Sequence, residues 1–305
     1  MIPQSPLTNS QDVTLLKTIP TEKLIEDWKN IFEIDITEEV REHENIYFYK
    51  CNETQLKFFA PTETVGSAKL YEHLQKFEWY YMPQKWEHDV AIQDLDNCHK
   101  ILEVGCGEGA FVERLCKELK VDAQGIELNS SAVAYARKKG IPVSQDDLYD
   151  LSNQKANYFD AVCTFQVLEH VVEPRNFLSS LVKLVKPGGK LIIAVPNSKS
   201  FAKYSENNLL DEPPHHMTQW CRDTFNHITS IYPIQVVNFR FEPLAEYHVD
   251  WYISIQLSRL PKIRLVKSLC FRFARHILKP ALKNISPLRK LIIGHTIYVC
   301  YQKNP

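Results

Sequence analysis

Between residues 100 and 197, short apolar runs alternate with amphipathic stretches. The runs at 100–104, 122–127, 143–145, 159–165 and 190–195 have the length of strands, and helical patterns begin near Gly109, Ser130 and Pro174. This alternation predicts βαβ units and a mostly parallel sheet. Right-handed crossovers then gather the loops after the strands at one sheet edge, where ligands bind. The strand pattern returns at 234–241 and 294–302.

Upstream, residues 1–20 are polar with three prolines and read as a loose arm. The stretch 21–32 puts Leu24, Ile25, Trp28 and Ile31 on one helical face, with Thr21 as N-cap. Two short strands, 46–51 and 55–60, flank Asn52-Glu-Thr54 and predict a hairpin. Residues 66–97 are helical in character and rich in aromatics. Tyr71, Leu74, Phe77 and Tyr81 follow helical spacing, and Trp79, Tyr80 and Trp86 add bulk. Aromatics so spaced more often build core than a ligand platform. In 261–278, Ile263, Val266, Leu269, Phe273 and Ile277 share one face, while Arg264, Lys267, Arg272, Arg275 and Lys279 lie largely elsewhere. The expected organisation is an N-terminal extension (1–97), a core (98–248), a basic helical insertion (249–293) and a last core strand (294–305).

Charge changes this picture at one end. The net charge is −1, yet eleven of the 36 Lys and Arg fall within 251–305, which holds none of the 37 Asp and Glu. A body of net charge −12 is therefore joined to a tail of +11. The basic amphipathic stretch can dock on the acidic body, the preferred reading, or lie on an anionic membrane through 259–290. No RNA-binding motif accompanies the charge, so a nucleic-acid partner is not expected. The 44% apolar content of the 305 residues suffices for a sizeable core. Eight scattered cysteines form no C-x-x-C pair and predict reduced thiols in a cytoplasmic setting. The N-terminus lacks a signal-peptide pattern, and no apolar run approaches the ~20 residues of a membrane span.

The candidate chemistry centres on Ile101-Leu-Glu-Val-Gly-Cys-Gly-Glu-Gly-Ala110. Glycines at 105, 107 and 109 suit a tight turn that a ligand approaches closely. The helix start behind them offers free N–H groups to an anionic or polar ligand. Glu127 ends the next strand, where a carboxylate can accept both hydroxyls of a ribose. The G-x-G-x-G spacing with Glu103 before it resembles motif I of the class I S-adenosylmethionine-dependent methyltransferases. The resemblance extends to Val143-Ser-Gln-Asp146-Asp147-Leu148, to Phe159-Asp-Ala-Val-Cys-Thr-Phe-Gln-Val-Leu-Glu-His-Val171 and to Leu184-Val-Lys-Pro-Gly-Gly-Lys190. It covers 101–197 in order.

That resemblance implies a Rossmann-like, doubly wound α/β fold. Its seven-stranded, mostly parallel sheet has an antiparallel last strand, an N-terminal hairpin and helical extension, and a C-terminal helical insertion. It also implies S-adenosyl-L-methionine as cofactor, held by Glu103, Gly105, Gly107, Gly109, Glu127, Leu128, Asp146, Asp147, Leu148 and Gln166. The frame Tyr49-Lys-Cys51-Asn-Glu-Thr54 through Pro61 resembles the zinc ribbon of sugar-modifying methyltransferases, but Thr54 stands where a second Cys belongs. A ribbon-like hairpin without its metal is expected.

Pro213-Pro-His-His-Met-Thr-Gln-Trp220 resembles a segment of the same ribbon-bearing enzymes. Consecutive prolines predict an extended backbone there, one of the adjacent histidines pointing away from the other, and a helix starting at 218–220. A hydroxyl acceptor must lose its proton, for which a His with a pKa near neutrality is suited. His215, His216 and His170 are therefore the candidate bases. A His-His-acid metal site lacks an i, i+4 ligand partner, so no metal is assigned. The expected reaction is methyl transfer to a hydroxyl of a small molecule such as a sugar or nucleotide-sugar. The alternatives are C- or N-methylation of a sugar, lipid-linked or quinone-like acceptor, or a non-catalytic cofactor-binding subunit.

Overall fold

The protein was examined as a computed structural model, which describes residues 3–77, 80, 82, 84–205, 208–261 and 263–305. The strands are β1 (Val13–Pro20), β2 (Asn45–Cys51), β3 (Lys57–Ala60), β4 (Lys100–Val104), β5 (Asp122–Ile126), β6 (Val143–Ser144), β7 (Phe159–Phe165), β8 (Val185–Pro196), β9 (Thr218–Gln219), β10 (Ile234–Pro243) and β11 (Ile293–Lys303). Seven of them form one sheet in the order β10-β11-β8-β7-β4-β5-β6. The β4–β5, β4–β7, β5–β6 and β7–β8 pairs are parallel, and β11 runs antiparallel to both β8 and β10. This is the expected Rossmann-like fold.

Strand alternation builds a core on each face. Leu191, Ile193 and Val195 of β8 join Leu178, Leu181 and Phe225 on one side. Ile192 and Ala194 join Phe111, Leu115 and Ala136 on the other. Successive side chains of a strand point to opposite faces, so a strand covered by helices on both sides reads as a continuous apolar run. From β4 the chain steps to β5 on one side and later returns to β7 on the other. The carboxyl end of β4 is thus the topological switch point, where a crevice opens.

The helix Trp86–Asp94 crosses one edge of this crevice. Asp94 anchors it, accepting from the Tyr298 hydroxyl at 2.8 Å and from Arg240 at 2.9 Å. The Lys190 ammonium donates to the Asp94 carbonyl.

Four elements differ from their sequence reading. Residues 13–20 form a strand rather than a loose arm. Their backbone pairs with β2 from Val13↔Cys51 to Pro20↔Asn45 and so satisfies groups that side-chain polarity does not report. In the helix Thr21–Phe32, Thr21 is the first helical residue and not the cap, and Ile31 is 58% exposed while Leu24 and Trp28 are buried. Thr218 and Gln219 are strand, not helix start. They pair with Phe58 and Lys57 of β3, and the next helix begins at Arg222. The sheet β1-β2-β3-β9 therefore stitches the N-terminal region to the segment after β8. The ribbon-like hairpin lies within it, its turn closed by Gln55 N–H to Cys51 C=O at 2.9 Å.

The fourth difference is the basic insertion. Of the face expected to dock, Ile263, Leu269, Phe273 and Ile277 are exposed, and the Val266 side chain is outside the described residues. Instead Ala274 and Leu282 pack with Val249 and Ile253 of the insertion's own first helix and with Phe201 and Leu244 of the body, and Lys279 and Lys283 pair with Asp250 of that first helix. Periodicity identified an apolar stripe, but the helix is rotated so that small and flanking residues meet the body.

Candidate active site

The crevice is a cleft of about 1450 Å³ that runs from the Gly-rich turn to the two histidines at 215 and 216. The turn has positive φ at Gly105 (73°), Gly107 (52°) and Gly109 (78°), a region that L side chains rarely enter. A Cβ on Gly105 would also lie 2.4 Å from Val167 Cγ2. Gly109 does not line the cleft. A Cβ there would meet Ile141 and Val143 at 2.9 and 3.0 Å, so this glycine lets the helix that follows pack closely on the sheet.

Glu127 is held from both sides. Gly107 N–H donates to its Oε2 at 2.9 Å, and Asn129 N–H donates to Oε1 at 2.8 Å. Asn129 in turn caps the helix Ser130–Lys138. A carboxylate has about four acceptor positions, so Glu127 keeps capacity for a pair of hydroxyls. Leu128 is 73% exposed beside it. Asp146 accepts from the Ser144 hydroxyl at 2.7 Å, while Asp147 accepts from Asp150 N–H at 3.0 Å and caps a helix, Leu148–Gln154. The sequence reading left that helix out, although an Asp three residues before a free N–H is its ordinary start signal. Leu148 closes this end of the cleft.

Glu103 is buried, and its Oε2 has no hydrogen-bond partner among the described residues. Burial pushes its pKa up to about 8, opposed by Lys85 and assisted by the charge of Glu127. Gln166 adopts φ 56° and donates from Nε2 to Glu87 Oε1 at 2.9 Å.

At the far end, His170, His215 and His216 meet. The rings of His215 and His216 stack with centroids 4.4 Å apart at 19°, and His170 lies 4.6 and 4.8 Å from them. The expectation that the adjacent pair points apart is therefore wrong. The prolines do not extend the chain either. Glu212 C=O accepts from both His215 N–H and His216 N–H at 3.1 Å, which folds 212–216 into a turn and turns both rings the same way.

Each Nδ1 has an oxygen partner: His215 C=O for His170 at 2.6 Å, Leu210 C=O for His215 at 2.9 Å, and Asp211 Oδ1 for His216 at 3.0 Å. Burial, followed by the neighbouring His216, depresses the His170 pKa to about 3 and that of His215 well below the ordinary value. Both rings are neutral. Burial opposes ionisation of Asp211, but the His216 N–H more than compensates and holds it below the usual carboxylate range.

Tyr71, from the helix Ala68–Leu74, reaches this cluster, its ring 5.6 Å from His170 and 6.2 Å from His215. Tyr80 is 6.2 Å from His215. Trp79 and Tyr81 lie outside the described residues. The sequence reading missed Tyr247, His248, Trp251 and His295, which also line the cleft. His248 and Trp251 sit 5.5 and 5.6 Å from the His295 ring. Tyr247, His248 and Trp251 come shortly after β10, and β11, returning beside β8, adds His295 from more than forty residues further on; no motif links them.

A family model described as a methyltransferase domain matches residues 47–235. The chain is similar to a ubiquinone biosynthesis O-methyltransferase of Xanthomonas oryzae pv. oryzae, 34% identical over 121 residues, or 38% of this chain and 50% of that protein. It is 33% identical over 119 residues to a mitochondrial ubiquinone biosynthesis O-methyltransferase of Dictyostelium discoideum, covering 34% of this chain and 37% of the relative. The chain thus spans about half the length, or less, of these curated relatives. Among solved structures, a SAM-dependent methyltransferase from Archaeoglobus fulgidus aligns with a TM-score of 0.48 at 21% identity, over 78% of this chain and 95% of that one.

Proposed function

The chain belongs to the methyltransferase-domain family, and we propose that it transfers a methyl group to a hydroxyl of a small molecule bound at the imidazole end of the cleft. The observation that carries this reading is one continuous cleft with the Gly-rich turn at one end and three converging imidazoles at the other. S-adenosylmethionine supplies a methyl activated by its sulfonium, and the residues present fit that cofactor. Glu127 retains free acceptor capacity for ribose hydroxyls, and the orphaned Glu103 Oε2 is open to a polar partner. Asp146 and Leu148 line the same end of the cleft and would flank the cofactor's base.

The remaining work is positioning and proton removal. Well-oriented reactants are worth roughly 7–11 kcal/mol. A placed base adds typically ~10²–10⁴-fold. Of the three imidazoles, burial holds His170 and His215 well below the range of an effective base near neutral pH, which leaves His216, oriented by Asp211 as the third member of a triad orients its base.

The acceptor class we favour is a lipid-linked or quinone-like ring bearing a hydroxyl. Tyr71, Tyr80, Tyr247 and Trp251 offer aromatic faces to such a ring, and the curated relatives are named for ubiquinone biosynthesis. A sugar or nucleotide-sugar hydroxyl is the second reading, favoured by the ribbon-like hairpin and the Pro213–Trp220 sequence. The test is incubation with methyl-labelled S-adenosylmethionine and two acceptors, a prenylated dihydroxybenzene and a nucleotide-sugar. Labelled aryl ether with equimolar S-adenosylhomocysteine is expected. Label in the sugar alone would establish the second reading, and label in neither would remove the hydroxyl acceptor.

We infer also that the protein works beside an anionic lipid surface. Support comes from the insertion, where Leu269, Phe271, Phe273, Ile277 and Leu291 are exposed amid Lys and Arg with no acid after Asp250. Apolar side chains in a basic field suit an interfacial helix. Among the described residues no helix is long and apolar enough to cross a membrane. The helix Val249–Ser258 leads from the cleft residue Trp251 directly to this surface, a short route for a membrane-borne acceptor.

A further inference from the structure

We propose that His170, His215 and His216 hold a divalent metal ion of the zinc class, with its open coordination position facing the cleft. One ring nitrogen from each of the three lies within 4.8 Å of the others. Their hydrogen bonds determine which nitrogen is free. A carbonyl oxygen can only accept, so His170 Nδ1 and His215 Nδ1 must donate to His215 C=O and Leu210 C=O. The Asp211 carboxylate imposes the same on His216 Nδ1. All three rings are thereby committed to the tautomer whose Nε2 carries a lone pair. Each Nε2 is left with a lone pair, and His215 Nε2 is buried with no partner among the described residues.

The hydrogen bonds are those that metal-binding imidazoles make, and the His215 and His216 rings, stacked at 19°, turn about their side-chain bonds to bring both lone pairs onto one ion. A ligating His almost always donates its other N–H to a carbonyl or carboxylate, which fixes ring orientation and raises basicity. Here two carbonyls and one carboxylate do so. Three imidazoles plus an open position describe a catalytic zinc site, and nitrogen donors favour zinc over magnesium or calcium. Two carboxyl groups, Asp211 and the buried Glu169, stand in the same wall and offset a cation's charge. The sequence names the three histidines but not their meeting, because the third ligand comes from the loop after β7, 45 residues before His215.

The role of the ion rests on the hydroxyl-acceptor reading; the site itself does not. An acceptor hydroxyl in the open position becomes acidic enough to lose its proton to water near neutral pH. Its oxygen then forms the new O–C bond as the S–C bond breaks, and the electron pair of that bond stays on sulfur. In this form the three histidines act as ligands, and none takes the proton itself.

The experiment uses the full chain, stripped with a chelator and titrated with ZnCl₂ by calorimetry and with CoCl₂ by visible absorption. One equivalent per chain, with the intense bands of four-coordinate cobalt, is expected. His215→Ala and His216→Gln should abolish uptake while S-adenosylmethionine affinity is retained, which shows that the cleft is folded. Asp211→Asn should weaken zinc by about 10–100-fold as a positioning residue. Substoichiometric uptake by the unmutated chain, or uptake that survives both histidine changes, overturns the site. Stoichiometric uptake without methylation of any hydroxyl acceptor would leave the site standing and remove the acceptor reading. Methyl transfer indifferent to the chelator, with no uptake, would do the reverse.

Discussion

At the residue scale, the cleft is governed by buried groups whose protonation the fold sets. Glu103 is the clearest. Its pKa in the folded chain, about 8, lies well above that of an exposed carboxyl because burial disfavours its charge. The folded state therefore keeps a proton that the unfolded chain releases. A raised pKa contributes stability fully below the unfolded value, and that stability is lost as pH rises through the folded one. Thermal melts of the unmutated chain should fall between about pH 5 and 8.5, and Glu103→Gln should flatten that fall. The difference should reach several degrees, since 1 kcal/mol is worth roughly 2–4 °C in a large domain. Parallel pH profiles for the two proteins would refute the assignment. The motif made this residue visible in the sequence; its neutral state follows from burial alone.

At the element scale, the acceptor end depends on a joint that sequence does not advertise. Gly66 N–H donates to Pro214 C=O at 2.7 Å. A Cβ at Gly66 would lie 2.8 Å from that same oxygen and from Leu70 Cδ2. The helix bearing Tyr71 is thus seated directly on the turn bearing His215 and His216. Gly66→Val should push the two apart. A displacement of about 1 Å near reacting groups can cost ~10²-fold in rate, so a kcat loss of that order is expected with cofactor affinity unchanged. Unaltered kcat in steady-state assays would show that the joint is not used. The β3–β9 pairing performs a similar task from the other side. Both joints explain why 212–220 is a turn and a strand: its backbone is claimed by partners more than a hundred residues upstream, which local propensity cannot report.

At the scale of the whole molecule, the distribution of charge decides orientation. Eleven cations lie in 251–305 without an acid, and several large apolar side chains among them are exposed. Co-sedimentation should show binding to vesicles containing anionic lipid and none to neutral vesicles. Binding should weaken as salt rises and should fall by about 10-fold in Leu269→Asp/Phe273→Asp, consistent with ~1.5–3 kcal/mol per fully buried apolar side chain in part realised. Equal binding to neutral vesicles, or none to anionic ones at low salt, would end the idea.

The sequence by itself determined the sheet, the turn at Gly105 and the end of the cleft lined by Glu127 and Asp146. Those features rest on short-range rules: strand alternation, glycine at positive φ, and an acid at a strand end. The three histidines at the other end were visible as candidates, but tertiary structure alone decided that their rings meet and that Tyr71 and the Tyr247–Trp251 segment join them. His170, Tyr71 and Trp251 come from separate parts of the chain, and no periodicity links them to the 215–216 pair. The direction of the insertion's apolar face was decided there too, because a helix can be amphipathic without its stripe being the surface that packs.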